Sequence, residues 1–242
     1  MGRYRQWTWG AGIATVTAVT AFGVAAWQAN AAPAPTPPTV AGEQPAVTDP
    51  NPGPVPATGI GSDALTAGEV DKARKVAVTP QLAAAAEDVT GAKGPEYLSA
   101  TIVAEGTARR AELYYYDYKA EKVIKQVVDL ASGKLAGSYS AAGVQPPASK
   151  REAATGLDLL LANPLAADLK SAYQKATGKQ FAGKDDVTVT AHVYKAKPAD
   201  SRNKQCGQNR CLQLVVETKD GLFIDVNHLI IDLSGRTVAR LA

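Results

Sequence analysis

The chain has 242 residues, of which 26 are basic, 23 are acidic and only two are histidine. Two of the basic residues, Arg3 and Arg5, belong to an N-terminal leader, and without them 24 basic side chains face 23 acidic ones. This near-neutral balance, with no run of Lys and Arg and no basic-aromatic stripe, excludes an electrostatic surface for nucleic acid, so we expect no nucleic-acid partner.

Residues 1–31 read as a signal peptide. Arg3 and Arg5 supply a positive start, residues 10–27 form an uncharged apolar run, and Ala29 and Ala31 frame a small-x-small cleavage site, with cleavage expected after Ala31. The alternative is an uncleaved membrane anchor, because the run is about as long as the shortest bilayer-spanning helix. We therefore predict a secreted or extracellular protein, or one anchored to the outer face of the cell membrane; a membrane partner is expected only in the second case.

Residues 32–61 hold nine of the fifteen prolines and almost no charge. Such a segment buries too little apolar surface to offset the entropy of ordering, and it favours extended conformers. We predict a Pro-rich disordered linker.

The rest of the chain contains the same order of helix and strand signals twice. This internal repeat predicts a first α+β module at 62–145 and a second at 146–242. In each, a capping box starts a helix, a proline after an N-cap residue breaks it, Thr-Gly ends it, and strands follow. The predicted fold class is α+β, with two tandem cystatin-like or PepSY-like modules. Each module is a helix or bent helix packed on a four-stranded antiparallel sheet.

The first module opens on the capping box of Thr66 and Glu69. A second N-cap at Thr79 precedes Pro80, and we predict helix from Leu82 to Val89, where Thr90-Gly91 stops it. β-patterns follow at 97–104, 111–118 and 123–130, with a short final strand.

The second module repeats this order. Ser149 and Glu152 form its capping box, Asn163-Pro164 is the break, and Thr177-Gly178 ends the helix. Strands are predicted at 187–194, 212–218 and 222–233, again with a short final strand.

Cys206 and Cys211 are the only cysteines, an even count in a chain predicted to be exported. They enclose a loop-like segment between two strand patterns, so we predict a disulfide. A redox-active pair would need the closer Cys-x-x-Cys spacing.

The two histidines, His192 and His228, fall on predicted strands. Zinc or copper sites usually need three or four protein ligands, so we predict no metal site and no cofactor. A histidine that is exposed, or hydrogen-bonded within the protein, is the simpler interpretation.

Tyr114, Tyr116 and Tyr118 alternate onto one face of a strand, while Tyr115 points to the other. The row is either a possible binding surface or a sheet face packed by its neighbours.

Asp129 and Asp232 occupy matching places before the last turn of each module. We interpret both as aspartates that bond the backbone of a glycine turn, and not as paired catalytic carboxylates. The sequence contains no Gly-x-Ser-x-Gly, phosphate-binding loop, dinucleotide fingerprint or His-Glu-x-x-His, so we predict no catalytic residues.

The module endings at 127–135 and 229–238 resemble the closing hairpins of the tandem cystatin-like N-terminal domains of copper amine oxidases. The helix-then-strands order also resembles PepSY-like secreted modules. The resemblance implies the fold only. Those oxidases need three copper-binding histidines and a tyrosine in an Asn-Tyr-(Asp/Glu) setting, which this chain lacks.

We therefore predict an exported, non-catalytic bacterial protein, with duplicated α+β interaction modules that bind an unknown protein or cell-surface partner. One alternative is a secreted peptidase inhibitor or peptidase-regulating module, for which the segment 195–210 is the candidate wedge. Another is a set of isolated amine-oxidase-like N-terminal domains without the copper and quinone site. The third is an enzyme with an unrecognised site.

Overall fold

Two antiparallel sheets organise residues 56–105 and 108–241, the part of the chain that the computed structural model describes. All of these residues belong to one compact unit. The predicted signal peptide or anchor and most of the predicted linker lie outside the described residues. Within them, no helix combines the length and apolar character needed to cross a membrane.

The first half of the chain, residues 62–145, forms a four-stranded sheet. Its strands are antiparallel neighbours in chain order: β1 (Glu96–Glu105), β2 (Ala108–Asp117), β3 (Lys122–Asp129) and β4 (Lys134–Ala142). Helix α1 (Ala67–Ala77) and the short α2 (Pro80–Ala85) accompany it. Apolar residues alternate along β2, so Leu113 and Tyr115 pack on the same side as Ala73 and Ala77 of α1.

The start of α1 follows its sequence signals closely. Thr66 accepts a hydrogen bond from the backbone N–H of Glu69, and the Glu69 carboxylate accepts one from the N–H of Thr66, which confirms the capping box.

The predicted helix at 82–89 was wrong in its length, since α2 ends at Ala85 and Ala86 is extended. The cause is Asp88, whose Oδ1 accepts from the N–H of Thr90 (2.8 Å) and of Ala92 (3.0 Å). An aspartate that bonds nearby backbone in this way competes with helix formation.

The second half, residues 146–242, has two longer helices and a five-stranded sheet. The helices are α3 (Lys150–Ala162) and α4 (Ala166–Thr177), followed by one 3-10 turn (Lys184–Asp186). The strands are β5 (Val187–Tyr194), β6 (Cys211–Thr218), β7 (Phe223–Ile224), β8 (Leu229–Asp232) and β9 (Thr237–Arg240). Their order is β5-β6-β8-β9, with β7 also paired to β6.

Local chemistry again explains the ends of these elements. The capping box of Ser149 and Glu152 starts α3, and Gly178, in the left-handed region at φ 71°, ends α4 as predicted. The single predicted strand at 222–233 is corrected to β7 and β8. A turn divides them, because Asp225 Oδ1 accepts from the N–H of Asn227.

The α+β class is thus confirmed, and so is the four-stranded antiparallel sheet of the first half; the second sheet has five strands instead of four. The main core of the second half is built on α3, α4 and its sheet. It also contains Val89, and Tyr118 packs against it; both come from the first half. Apolar side chains therefore cross the boundary between the halves.

Candidate functional site: a cleft where the two halves meet

The side chain of Arg210 is fully buried where the two halves meet. Its backbone N–H donates to Ser234 Oγ (2.9 Å), which fixes the residue just before β6. The guanidinium Nη2 donates to Glu152 Oε2 at 2.9 Å, and Nε donates to Glu152 Oε1. Its remaining donors reach Gln145 Oε1 (3.1 Å), Pro146 O (3.0 Å) and Pro147 O (3.2 Å).

Glu152 is held from the first half as well. Tyr118 donates its hydroxyl to Glu152 Oε1 at 2.6 Å, and burial together with that carboxylate raises the pKa of Tyr118. The Arg210 guanidinium lies 4.9 Å from the ring centroid of Tyr116. Residues from both sheets therefore satisfy one buried ion pair.

A second polar network lies at the N-terminus of α3. Arg151 donates to Glu96 Oε2 (2.8 Å) and to Asp88 Oδ2 (2.7 Å), which are both carboxylates of the first half. Burial raises the pKa of Glu96, although Arg151 opposes the shift. Burial also acts on Asp88, but hydrogen bonds from Thr90 and Arg151 outweigh it and lower the pKa of that carboxyl.

An open cleft of about 890 Å³ runs along this second network. Its walls come from α1, α2, the start of β1 and the N-terminus of α3. The apolar part of the lining includes Val78, Pro95 and Leu98, and Tyr97 and Tyr115 contribute aromatic rings. The cleft therefore combines a half-apolar floor with charged walls.

Cations dominate those walls. The lining holds Arg74, Lys75, Lys93 and Lys150 besides Arg151, against the three acids Asp71, Asp88 and Glu96. Arg151 bonds two of the acids, Asp88 and Glu96, and its single charge offsets one of them. Within residues 56–105 and 108–241, the three lysines make no ion pair, and Arg74 stacks 4.3 Å from the ring centroid of Tyr97.

The Tyr115 hydroxyl is a buried polar group of the same lining. Its side chain is 1% exposed, and its oxygen has no hydrogen-bond partner of good geometry among the described residues. Burial raises the pKa of Tyr115, with the Arg74 guanidinium nearby acting in the opposite direction. The hydroxyl is thus enclosed by protein beside the Arg74 guanidinium.

The three tyrosines singled out from the sequence pack in one cluster, in which Tyr114 and Tyr118 are half-buried. Tyr116 is fully buried, Tyr118 contacts it edge to face at a ring distance of 5.0 Å, and Tyr114 donates to Glu112 Oε2 at 2.8 Å. Tyr115 points to the opposite face, as its spacing predicts. Binding of a partner by this row stays a prediction.

The predicted disulfide between Cys206 and Cys211 is present, with a Cα–Cα distance of 5.4 Å. It closes the short turn at 207–210, at the C-terminal end of the loop at 195–210. At the other end, Tyr194, the last residue of β5, donates its hydroxyl to Asp200 Oδ2 at 2.5 Å, and the N–H of Asn203 donates to Asp200 Oδ1. The loop is thus anchored from within.

One of the two histidines lies on a strand as predicted, but the other, His228, lies in the turn just before β8. His192 is exposed on β5, whereas His228 Nε2 lies 2.9 Å from Asp168 Oδ2. Arg240 also donates to Asp168, and these two partners lower the pKa of Asp168 to about 2, with Arg240 the larger cause. In the described part of the chain, no three His, Cys, Asp or Glu side chains are grouped to hold a metal ion.

The turn role predicted for two aspartates is confirmed. Asp129 Oδ1 accepts from the N–H of Ser132 (2.7 Å), and Asp232 Oδ1 accepts from the N–H of Gly235 (2.8 Å). Asp232 does more than its counterpart, because its Oδ2 also accepts from Asn209 Nδ2 at 2.8 Å. That contact ties the closing turn of the second half to the disulfide loop.

Sequence reasoning missed Arg210, Arg151 and Val89, which join the halves, and assigned Glu152 only to a helix cap. One signal was available: Arg210 directly precedes a strongly apolar strand, where a charged residue requires a buried partner. No residue near Arg210 in the sequence indicated that this partner is Glu152.

No protein-family model matches the chain, and the search of curated proteins found no match. Among solved structures, the chain is similar to a copper-containing benzylamine oxidase from Hansenula polymorpha, with a TM-score of 0.40 and 11% sequence identity. The match covers 76% of this chain and 30% of the oxidase chain. A likeness this weak accords with the resemblance found in the sequence, but it carries no argument about activity.

Proposed function

We propose that this chain is an exported, non-catalytic bacterial binding protein, and that the cleft between its halves takes an acidic segment of a protein or cell-surface partner. We further propose that the halves are two cystatin-like or PepSY-like modules, related to the N-terminal domains of copper amine oxidases but lacking their copper and quinone site. The observation that carries the binding function is the excess of exposed, unpaired cations along the cleft.

Electrostatics favours an acidic partner. The lining holds five cations (Arg74, Lys75, Lys93, Lys150 and Arg151) against three acids (Asp71, Asp88 and Glu96), a formal excess of two positive charges. The N-terminus of α3 adds its partial positive charge on the same side, since Ser149, Lys150 and Arg151 line the cleft.

The raised pKa of Glu96 invites a catalytic interpretation, because perturbed carboxyls cluster in active sites. Its contacts favour a structural role instead. Arg151 binds one oxygen, the N–H of Val89 donates to that oxygen at 3.4 Å, and Ser149 Oγ donates to the other at 3.4 Å. A carboxylate engaged in this way supports a fixed junction and leaves little room for proton transfer.

Isothermal titration calorimetry with an octaglutamate peptide tests the proposal, with octaglutamine as the uncharged control. We expect binding of the acidic peptide only, weakening as salt is added. The double variant K75Q/K150Q should weaken binding about three- to tenfold, since each exposed ion pair contributes ~0.2–1 kcal/mol.

The matched control is K72Q/K170Q, which removes two exposed lysines outside the cleft. It should bind like the unmodified chain. Equal affinity for the two peptides, or equal weakening by both double variants, would overturn the proposal.

A peptidase-directed role is the second candidate, and the anchored loop at 195–210 favours it. The disulfide braces its C-terminal end and the hydrogen bonds to Asp200 brace its middle, while Lys197, Pro198 and Arg202 are exposed. Titration against a panel of secreted proteases should then give stoichiometric loss of activity for at least one. Full activity of every protease at a tenfold molar excess of the chain would eliminate this candidate.

A further inference from the structure

Strand β5 leaves one edge of the second sheet open. Among the described strands it pairs only with β6. Residues 187–194 carry no formal charge apart from a titratable histidine, and they contain neither Pro nor Gly. Uncharged, β-branched edges of this length are templates for pairing with another strand.

The two faces of β5 differ. Val187, Val189, Ala191 and Val193 pack against the core of the second half but stay partly exposed along the open edge. Thr188, Thr190 and His192 are exposed on the other face. A strand added here must therefore present an apolar row on the helix side and a polar row on the outer side.

The charges at the two ends of β5 indicate which strand pairs with its open edge. Asp185 precedes the strand and Lys195 follows it directly, and both are exposed. In antiparallel pairing of β5 with itself, the acidic end of one copy meets the basic end of the other. We propose that β5 is a homodimer interface, at which it pairs antiparallel with β5 of a second copy about a two-fold axis through Thr190.

The register follows from two conditions. Cross-strand neighbours must point to the same face of the sheet, so odd positions must oppose odd positions. Centring the axis on Thr190 places Val187 opposite Val193 of the second copy, and Val189 opposite Ala191. It also brings the 3-10 turn that carries Asp185 next to the end of the partner strand that Lys195 follows, once at each end. Two five-stranded sheets then become one continuous sheet with the helices of both copies on the same face.

Strand β4, one of the two edge strands of the first sheet, lacks this complementarity. Strand β4 begins with Lys134, but no acidic residue follows before the end of the strand or in residues 143–149. Its pairing with β3 is also irregular between Val127 and Val128. Bulges and unbalanced charge both discourage self-pairing. The inference therefore applies to β5 and not to β4, and it is independent of the cleft.

Cysteine cross-linking of the full chain tests the register. In the proposed dimer the two copies of Thr190 face each other with Cβ atoms about 5 Å apart. This Cβ–Cβ distance is close to the range that a disulfide spans. T190C should therefore form a covalent dimer under mild oxidation. The matched control is T188C, on the same exposed face. In the proposed register the two copies of residue 188 are offset by four residues along the strands, which separates them by ~13 Å.

Sedimentation velocity gives a second readout. D185K and K195D should each weaken the dimer about tenfold, because each converts both end pairs into repulsions. The double variant D185K/K195D should restore the original dissociation constant to within about threefold. A monomeric chain at high micromolar concentration, equal cross-linking of T190C and T188C, or failure of the double variant to recover would overturn the proposal.

Discussion

Arg210 and Glu152 form an ion pair in which both side chains have an exposed fraction of 0%. Removing two charges from water costs several kcal/mol per ion, and the attraction offsets that cost only when further hydrogen bonds complete the site. Here those bonds come from Gln145, the prolines that precede α3, and Tyr118 of the first sheet. The pair therefore depends on correct docking of the two halves.

The first prediction concerns that pair. Glu152→Gln keeps the shape of the side chain but leaves the Arg210 charge buried without a counter-ion. We expect the free energy of unfolding to fall by ~3–5 kcal/mol, measured by urea denaturation.

Its control is the exposed pair of Lys184 and Asp158, whose side chains are 58% and 53% exposed. Asp158→Asn should change the free energy of unfolding by less than ~1 kcal/mol. If the two substitutions proved equally mild, the junction would not depend on the buried charge.

The second prediction concerns the disulfide, which closes a loop with a sequence separation of only 5. Chain-entropy arguments give about 2 kcal/mol for so short a loop. The C206A/C211A variant should therefore unfold at lower urea but stay folded in its absence, as followed by circular dichroism. An unfolded variant would mean that the loop directs folding of the second half.

The third prediction concerns acid stability at Asp168. Its folded-state pKa of about 2 lies below its ordinary 3.8, so its contribution to stability is present above pH ~4 and is lost as the pH falls toward 2. Asp168→Asn should flatten that acid limb of the free energy of unfolding. In NMR titrations, Arg240→Met should raise the Asp168 pKa more than His228→Gln does, because Arg240 is the larger cause. The reverse order would contradict the assigned cause.

The fourth prediction compares two helical glycines. A Cβ added at Gly156 would lie 3.2 Å from Leu214 Cδ2, whereas one at Gly68 would meet nothing closer than 3.7 Å. Gly156→Val should destabilise the chain by ~1–3 kcal/mol through overpacking of α3 on β6. Gly68→Ala should be neutral or stabilise by up to ~1 kcal/mol through helix propensity. Thermal unfolding distinguishes them, and equal melting temperatures would refute close packing at Gly156.

Features determined by neighbours in the sequence were predictable. The two capping boxes, the aspartate turns at Asp129 and Asp232, and the left-handed stop at Gly178 each involve residues at most three or four positions apart. The alternating pattern of β2 likewise placed Tyr115 on the face opposite Tyr114 and Tyr116.

Features that join distant residues were not predictable. Arg151 meets Glu96 across 55 positions and Arg210 meets Glu152 across 58, so no local pattern connects them. The early end of α2 has a related cause, since Asp88 organises a loop that delivers Val89 to the other half. The cleft was missed for the same reason, because its walls meet only when the halves dock.

Because of Val89, the first half of the chain cannot complete its packing during synthesis until the second half is made. The residue is translated early but fills a core whose strands appear more than a hundred residues later, and its carbonyl accepts from Arg236 Nη1 at 3.3 Å. The N-terminal portion thus leaves the ribosome with a valine that has no place to pack until the last hairpin emerges. Gene fragments divided near residue 145 would have to be produced together to regain the native arrangement.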